Sequence, residues 1–170
     1  MKRRGFINTI AATTPLAVFP KTQSLGDLFE NQFNLNYAPH FGMFQNMGGE
    51  DLIDQLNFMA DNGFKAFEDN GMKNRSISMQ EKIGSTLNKR NMSMGVFVAH
   101  KIYWNEPNLA SGNKNKREEF LKHITESVDV AKRVNAKWMT VVPGHKDLRL
   151  NLSFQESNVV DTLKFACDIL

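Results

Sequence analysis

Asn62-Gly63-Phe64-Lys65-Ala66-Phe67-Glu68, residues 62–68, holds the end of one element and the whole of the next. Asn-Gly stops a helix, because a residue without a Cβ takes the left-handed turn that leaves the helical ladder. Phe64 to Glu68 then reads as a short strand. Upstream, residues 50–62 put Leu52, Ile53, Leu56, Met59 and Ala60 on one helical face, and Phe33-Asn34-Leu35-Asn36-Tyr37-Ala38 before them reads as a strand. The switch between a period of two and a period of 3.6 marks one βα unit and the start of another.

Working downstream, the switch recurs. Ser78-Met79-Gln80-Glu81 reads as a capping box opening a helix that carries Ile83 and Leu87. Met92 to Ala99 is a third strand, and a helix from near Asn115 presents Phe120, Leu121, Ile124, Val128 and Ala131 as a stripe. Ala136 to Val142 is a fourth strand. Ser153-Phe154-Gln155-Glu156 reads as another capping box, ahead of Val159, Val160, Leu163, Ala166, Cys167 and Leu170. Cys167 on that stripe is expected to be a buried core thiol. As the single cysteine it excludes an internal disulfide and any CxxC metal or redox motif.

Four consecutive βα units require a parallel sheet, since crossover helices are what join parallel strands. Each unit takes about 34 residues, so eight would take roughly 270, the usual size of a (β/α)8 barrel. The chain stops within a helix, at Cys167-Asp168-Ile169-Leu170. The expected α/β fold is therefore the first four units of a (β/α)8 TIM barrel, truncated, over residues 33–170. Its unpaired strand edges predict aggregation or a homodimer.

Residues 1–32 read differently. Lys2, Arg3 and Arg4 precede an uncharged, mildly apolar run from Phe6 to Phe19, the layout of an export signal. Arg3-Arg4-Gly5-Phe6-Ile7 resembles the twin-arginine class, although Lys2 and Asn8 depart from its usual residues and no clean A-x-A site follows Ala17. This predicts a periplasmic or otherwise exported protein; the alternative is a cytoplasmic protein with a disordered N-terminus. The segment is too short and polar for stable membrane insertion.

The 170-residue chain has 21 basic and 18 acidic side chains, and Lys2, Arg3, Arg4 and Lys21 all precede the first acid. Without those four the balance is 17 against 18, a net charge of −1. Nucleic-acid binding by phosphate neutralisation is not supported, and a nuclease on the same superfold would lack its basic groove. No glycine-rich phosphate loop, G-x-S-x-G elbow, H-E-x-x-H or EF-hand pattern occurs.

The reactive side chains fall at equivalent places. His40 follows the first strand, Glu68 ends the second, His100 ends the third and His145 follows the fourth. In a parallel barrel the carboxyl ends of the strands form the mouth, so these four groups are expected to face one cavity. Imidazole and carboxylate suit metal binding and proton transfer alike. The plainer reading of each His is a hydrogen bond to a loop carbonyl. Phe44 after the first strand and Tyr103 and Trp104 in the long loop after the third add aromatic faces suited to a sugar, unless they serve as cover for the barrel rim. His123 lies off the apolar stripe among Glu119 and Glu126 and reads as a solvated helix residue. Alternation sends Glu68 inward and Asp69 outward.

Asn34-Leu35-Asn36-Tyr37, the Asn62 to Glu68 run, Met94-Gly95-Val96-Phe97-Val98, Lys116-Arg117-Glu118-Glu119-Phe120 and Ala131-Lys132-Arg133-Val134-Asn135-Ala136-Lys137 together resemble the hydroxypyruvate isomerase-like branch of the xylose isomerase-like TIM barrels, the sugar phosphate isomerase/epimerase superfamily. The resemblance implies an isomerase that interconverts hydroxy-aldehyde and hydroxy-ketone forms of a small sugar-like substrate through a metal-assisted enediol. It places the family's metal-binding and catalytic carboxylates on the fifth to eighth strands. No catalytic or metal-binding residue is therefore assigned here, and a divalent ion is expected in the complete protein but not bound tightly by this piece. His40, Phe44, Glu68, His100, Tyr103, Trp104 and His145 are left to shape a substrate pocket, and the chain alone is expected to be inactive. The alternative is a non-catalytic sugar-binding protein that dimerises through its half-barrel.

Overall fold

The computed structural model describes residues 33–170, and the predicted signal and linker of residues 1–32 lie outside them. Two parallel strands, β1 (Ala66–Phe67) and β2 (Ser93–Met94), pair in the register Ala66 to Ser93 and Phe67 to Met94. Bonds beyond these strands continue the sheet on both sides. The Glu68 N–H donates to the Pro39 carbonyl at 3.2 Å, and the Thr140 N–H donates to the Phe97 carbonyl at 2.8 Å. A parallel bridge joins Val98 to Thr140. The four segments thus stand side by side in sequence order, as consecutive βα units require.

The strands are shorter than their sequence patterns predict. Residues 33–38 form no regular strand and are mostly exposed, and the predicted strand 136–142 contributes a single bridge at Thr140. Both are edge segments. A chain paired on one side only has half the ladder to hold its pleat.

The helices follow the apolar spacing. Residues Gln45–Gly48 form a short helix α1, and α2 spans Leu52–Asp61 behind an Asp51 cap whose Oδ1 accepts from Ile53 N at 2.7 Å. Next come a 3-10 turn at Met72–Asn74, helix α3 (Ile77–Lys89), a 3-10 turn at Leu109–Ser111, α4 (Lys114–Val134) and α5 (Leu152–Cys167). Both predicted Ser caps are displaced by two residues. Ser76, not Ser78, caps α3, accepting from Met79 N at 3.2 Å, and Asn151, not Ser153, caps α5, accepting from Ser153 N at 2.8 Å. In each case an earlier residue with a good capping side chain holds the extended backbone, so the predicted Ser becomes part of the first turn.

The sheet packs against the helices through Phe67, Phe97, Leu56, Met59, Ile83 and Val134, and through a second cluster of Ala99, Leu109, Phe120, Ile124 and Ala166. α3 and α4 approach so closely at Gly84 that a Cβ there would run into the Arg133 carbonyl. Only glycine permits that contact.

Cys167 is exposed, not buried as expected. α5 buries Gln155, Thr162 and Ala166, with Val159 and Leu163 beside them, so the broad apolar stripe is used on one of its two halves. Among the described residues, the exposed large hydrophobics other than Ile77 and Trp104 all lie within 33–47 or 138–170, the first and fourth units of the row. The inner units are covered on both sides, and the outer ones are not. No helix among the described residues is long and apolar enough to cross a membrane.

Candidate functional site at the carboxyl ends of the strands

Glu68 directly follows β1, and strand alternation decides its direction. Phe67 is fully buried in the helix-facing core, so Glu68 turns to the other face. It meets His40 there: Nε2 of His40 lies 2.8 Å from Oε1 of Glu68, with 42% of the His and 26% of the Glu side chain exposed. Gly95 makes the space. A Cβ on it would sit 3.3 Å from the Glu68 Cβ and 3.2 Å from the Phe67 carbonyl oxygen.

Asp69 takes the opposite role. It is 7% exposed, its Oδ1 accepts from Gly71 N at 3.0 Å, and its Oδ2 pairs with Arg75. Arg75 in turn lies 4.8 Å above the Phe41 ring, which packs on Phe67. Of two adjacent carboxylates, one fixes the following loop and one is left at the mouth.

His100 is 4% exposed and both ring nitrogens meet backbone. Nδ1 lies 2.8 Å from the Lys101 carbonyl, and Nε2 lies 3.1 Å from Val142 N. A carbonyl only accepts and an amide N–H only donates, which fixes the tautomer: Nδ1 carries the proton and Nε2 accepts. Burial pushes its pKa down, against the Lys101 carbonyl that raises it. The ring also sets its edge against Phe120 at 4.9 Å. His100 therefore holds the third segment to the fourth, as in the plainer reading of a His at a strand end.

Beside it lies a cavity of about 540 Å³ lined by residues from three places: Asn70, Lys73 and Asn74 after β1, Val98, His100, Lys101, Ile102 and Trp104 after β2, and Glu119 and His123 from α4. Trp104 is 68% exposed at its border. Tyr103 stands next to it, its hydroxyl donating to Glu119 at 2.8 Å and its ring lying 4.5 Å below the Lys101 ammonium.

His123 was expected in solvent. Instead its Nδ1 accepts from Lys101 N at 3.4 Å, and burial, then Lys73, push its pKa down. Its place four residues after Glu119 on one helix face is the sequence signal for this, once both face the loop after β2. Lys73, Asn70 and Asn74 carry no comparable signal.

The predicted residues do not share one cavity. His40 and Glu68 meet each other, and His100 and Trp104 line the 540 Å³ cavity. His145 is exposed and lines a separate, apolar-sided cavity of about 310 Å³ with Pro143, Leu152 and Val159. Its backbone N–H reaches back to the Tyr103 carbonyl at 3.3 Å. Phe44 packs with Phe58 and Phe64 in an aromatic cluster. In the loop after the fourth segment, Arg149 is spent on Asp147, whose carboxyl it pulls down to about 2. Among the described residues no three of His, Cys, Asp and Glu are placed to hold a metal ion.

No protein-family model matches the chain, and no curated protein matches it. Among solved structures it is similar to a D-psicose 3-epimerase determined in the presence of D-fructose, with a TM-score of 0.56 and 11% identity. The likeness covers 79% of this chain and 50% of that one, so the chain spans about half the epimerase's length. At that identity the likeness is one of fold alone: helices and a small parallel sheet that match part of a TIM barrel.

Proposed function

We propose that residues 33–170 form the first half of a sugar isomerase or epimerase barrel that acts on a small hydroxy-carbonyl compound, in the manner of the hydroxypyruvate isomerases. The observation that carries this reading is the His40–Glu68 pair at the carboxyl ends of adjacent parallel segments, where barrels of this class assemble their sites. Glu68 accepts from Nε2 of His40 and so orients the ring, which leaves Nδ1 free to hydrogen-bond a substrate hydroxyl. His100 positions the neighbouring segment and takes no part in proton transfer, because both of its nitrogens are engaged.

The described residues do not supply the ligand set of the divalent ion that the resemblance implies. No step is therefore routed through a metal here. In this proposal the metal-binding and catalytic carboxylates come from further βα units, and the Arg3-Arg4 head exports the protein.

Calorimetric titration of the full chain with hydroxypyruvate and with D-fructose tests the pocket. H40A and E68Q are each expected to weaken binding about tenfold, the cost of one good hydrogen bond. Affinity indifferent to both changes overturns the proposal.

The second reading, a non-catalytic sugar-binding dimer, draws on the exposed apolar residues of the first and fourth units. A two-fold axis along a barrel would set the fourth segment of each copy against the first of the other. Sedimentation separates the two readings by stoichiometry: a dimer of fixed size that persists on dilution favours the second, and association that grows with concentration without a fixed size favours the first.

A further inference from the structure

Three helices bury a glutamine at one fixed place, four residues after the cap: Gln55 behind Asp51 on α2, Gln80 behind Ser76 on α3 and Gln155 behind Asn151 on α5. In each, Nε2 donates to the carbonyl of the residue just before the cap, Glu50 at 3.5 Å, Arg75 at 3.0 Å and Leu150 at 3.2 Å. A second carbonyl, that of Gly49, Met72 or Asp147, also accepts from the same nitrogen. A primary amide gives two protons and still accepts one. Each of these helices thereby fastens the loop that leads into it.

The amide oxygen is used differently, and the difference follows the histidines. Oε1 of Gln55 accepts from Gly42 N at 2.8 Å, and Oε1 of Gln155 accepts from Asp147 N at 2.7 Å. Gly42 lies two residues after His40, and Asp147 two residues after His145. The second unit ends its strand in Glu68 and has no His there. Its glutamine oxygen goes instead to Arg133 of α4, at 2.9 Å from Nη1. In the third unit Arg117 stands four residues after the Asn113 cap, and His100 is fixed by its own ring nitrogens.

His40 has no such fixing of its own. Its side chain is 42% exposed, and its ring meets Glu68. The backbone before it is held by the Glu68 N–H on the Pro39 carbonyl at 3.2 Å, and the backbone after it by Gly42 on Gln55. Without the second bond the loop can pivot on the first and carry the imidazole off the carboxylate, and a site group is only as well placed as the residues that support it. We propose that Gln55 is a positioning residue for the mouth: through Gly42 it holds His40 on Glu68. This rests on the pocket reading of that pair; Gln55 itself, 2% exposed, lies behind the loop.

The test compares Q55M, which keeps the side-chain volume and removes the amide, with G84A, which loosens α3 from α4 at Arg133, away from the His40 loop. Both are expected to lower the melting temperature. Long-range proton–nitrogen correlation spectra of the full chain are expected to show the His40 ring signals displaced in Q55M and in E68Q, and unchanged in G84A. In calorimetric titration with D-fructose, Q55M is expected to weaken binding about tenfold, as H40A does, and the H40A/Q55M double variant to bind no more weakly than H40A alone. Should Q55M not fold, Q55N, whose amide ends one carbon short of Gly42, takes its place. His40 ring signals that stay unchanged, or a double variant whose two losses multiply, overturns the proposal. Affinity indifferent to H40A refutes the pocket at His40 instead, and the ring signals then decide the role of Gln55.

Discussion

His100 and Val142 are joined through a ring nitrogen and a backbone amide at 3.1 Å, which makes a side chain the cross-link between the third and fourth segments of the sheet. The backbone ladder there consists of the bonds around Thr140. A neutral imidazole extends it by one rung.

Protonating His100 removes the acceptor that Val142 needs. Its folded-state pKa is lowered by burial from the ordinary 6.5, so its contribution to stability is complete above about pH 6.5 and is lost as pH falls through the lowered value. His123 is shifted in the same direction. Urea melts at stepwise lower pH are expected to show this loss, and H100F, which keeps a ring against Phe120 but no nitrogen, is expected to cost about 2–3 kcal/mol at pH 8. A wild-type chain equally stable at pH 8 and pH 5 would contradict the assignment.

Ser127 is fully buried on α4 and its Oγ donates to the Ala99 carbonyl at 2.6 Å. Ser127→Ala leaves that carbonyl without a partner and is expected to lower stability by about 1–2 kcal/mol. Ser127→Val adds bulk to the same defect and should cost more. Chemical denaturation of the two variants measures both.

The two tight glycines should respond differently. At Gly84 the obstacle is the Arg133 backbone, which cannot swing aside, so Gly84→Ala is expected to cost about 1–3 kcal/mol by forcing α3 from α4. At Gly95 the clearances are wider, 3.2 Å to the Phe67 carbonyl oxygen and 3.3 Å to the Glu68 Cβ. Gly95→Ala is therefore expected to lower the melting temperature less than Gly84→Ala and, under the proposed function, to weaken D-fructose binding by shifting Glu68, read by circular dichroism and calorimetry together.

Helix caps provide a check on the start of α3. Ser76→Ala is expected to cost about 1 kcal/mol and Ser78→Ala well under half of that. Equal costs would return the cap to Ser78.

Exposure at the ends of the row has a solution consequence. Trp138 is 71% and Phe154 74% exposed, and apolar area of this kind associates. Sedimentation velocity is expected to show concentration-dependent association that W138K and F154K together reduce. A monodisperse monomer at all concentrations would contradict it.

The helices were legible because their apolar spacing is read within one element: Leu56 and Met59, or Phe120 and Ile124, are buried where the pattern puts them. The parallel order followed from the alternation of elements. The strand lengths did not, since they depend on neighbours that a local pattern does not contain, and Cys167 was misplaced because a stripe wider than its contact surface does not say which half is used. At the site, Glu68 and Asp69 divided as alternation predicts. The partners of His100 and the turn of His123 toward the loop were not legible, because backbone groups distant in sequence supply them.

The separation of Glu68 from Asp69 rests on the position of one short ladder. A slip of β1 by a single residue would drive the Glu68 carboxylate into the aliphatic interior and swing the Phe67 ring out to the mouth. The amide of Gly95, bound to the Phe67 carbonyl at 2.7 Å, guards against that exchange. Pinning a strand in place here also selects which of two neighbouring acids can meet a ligand.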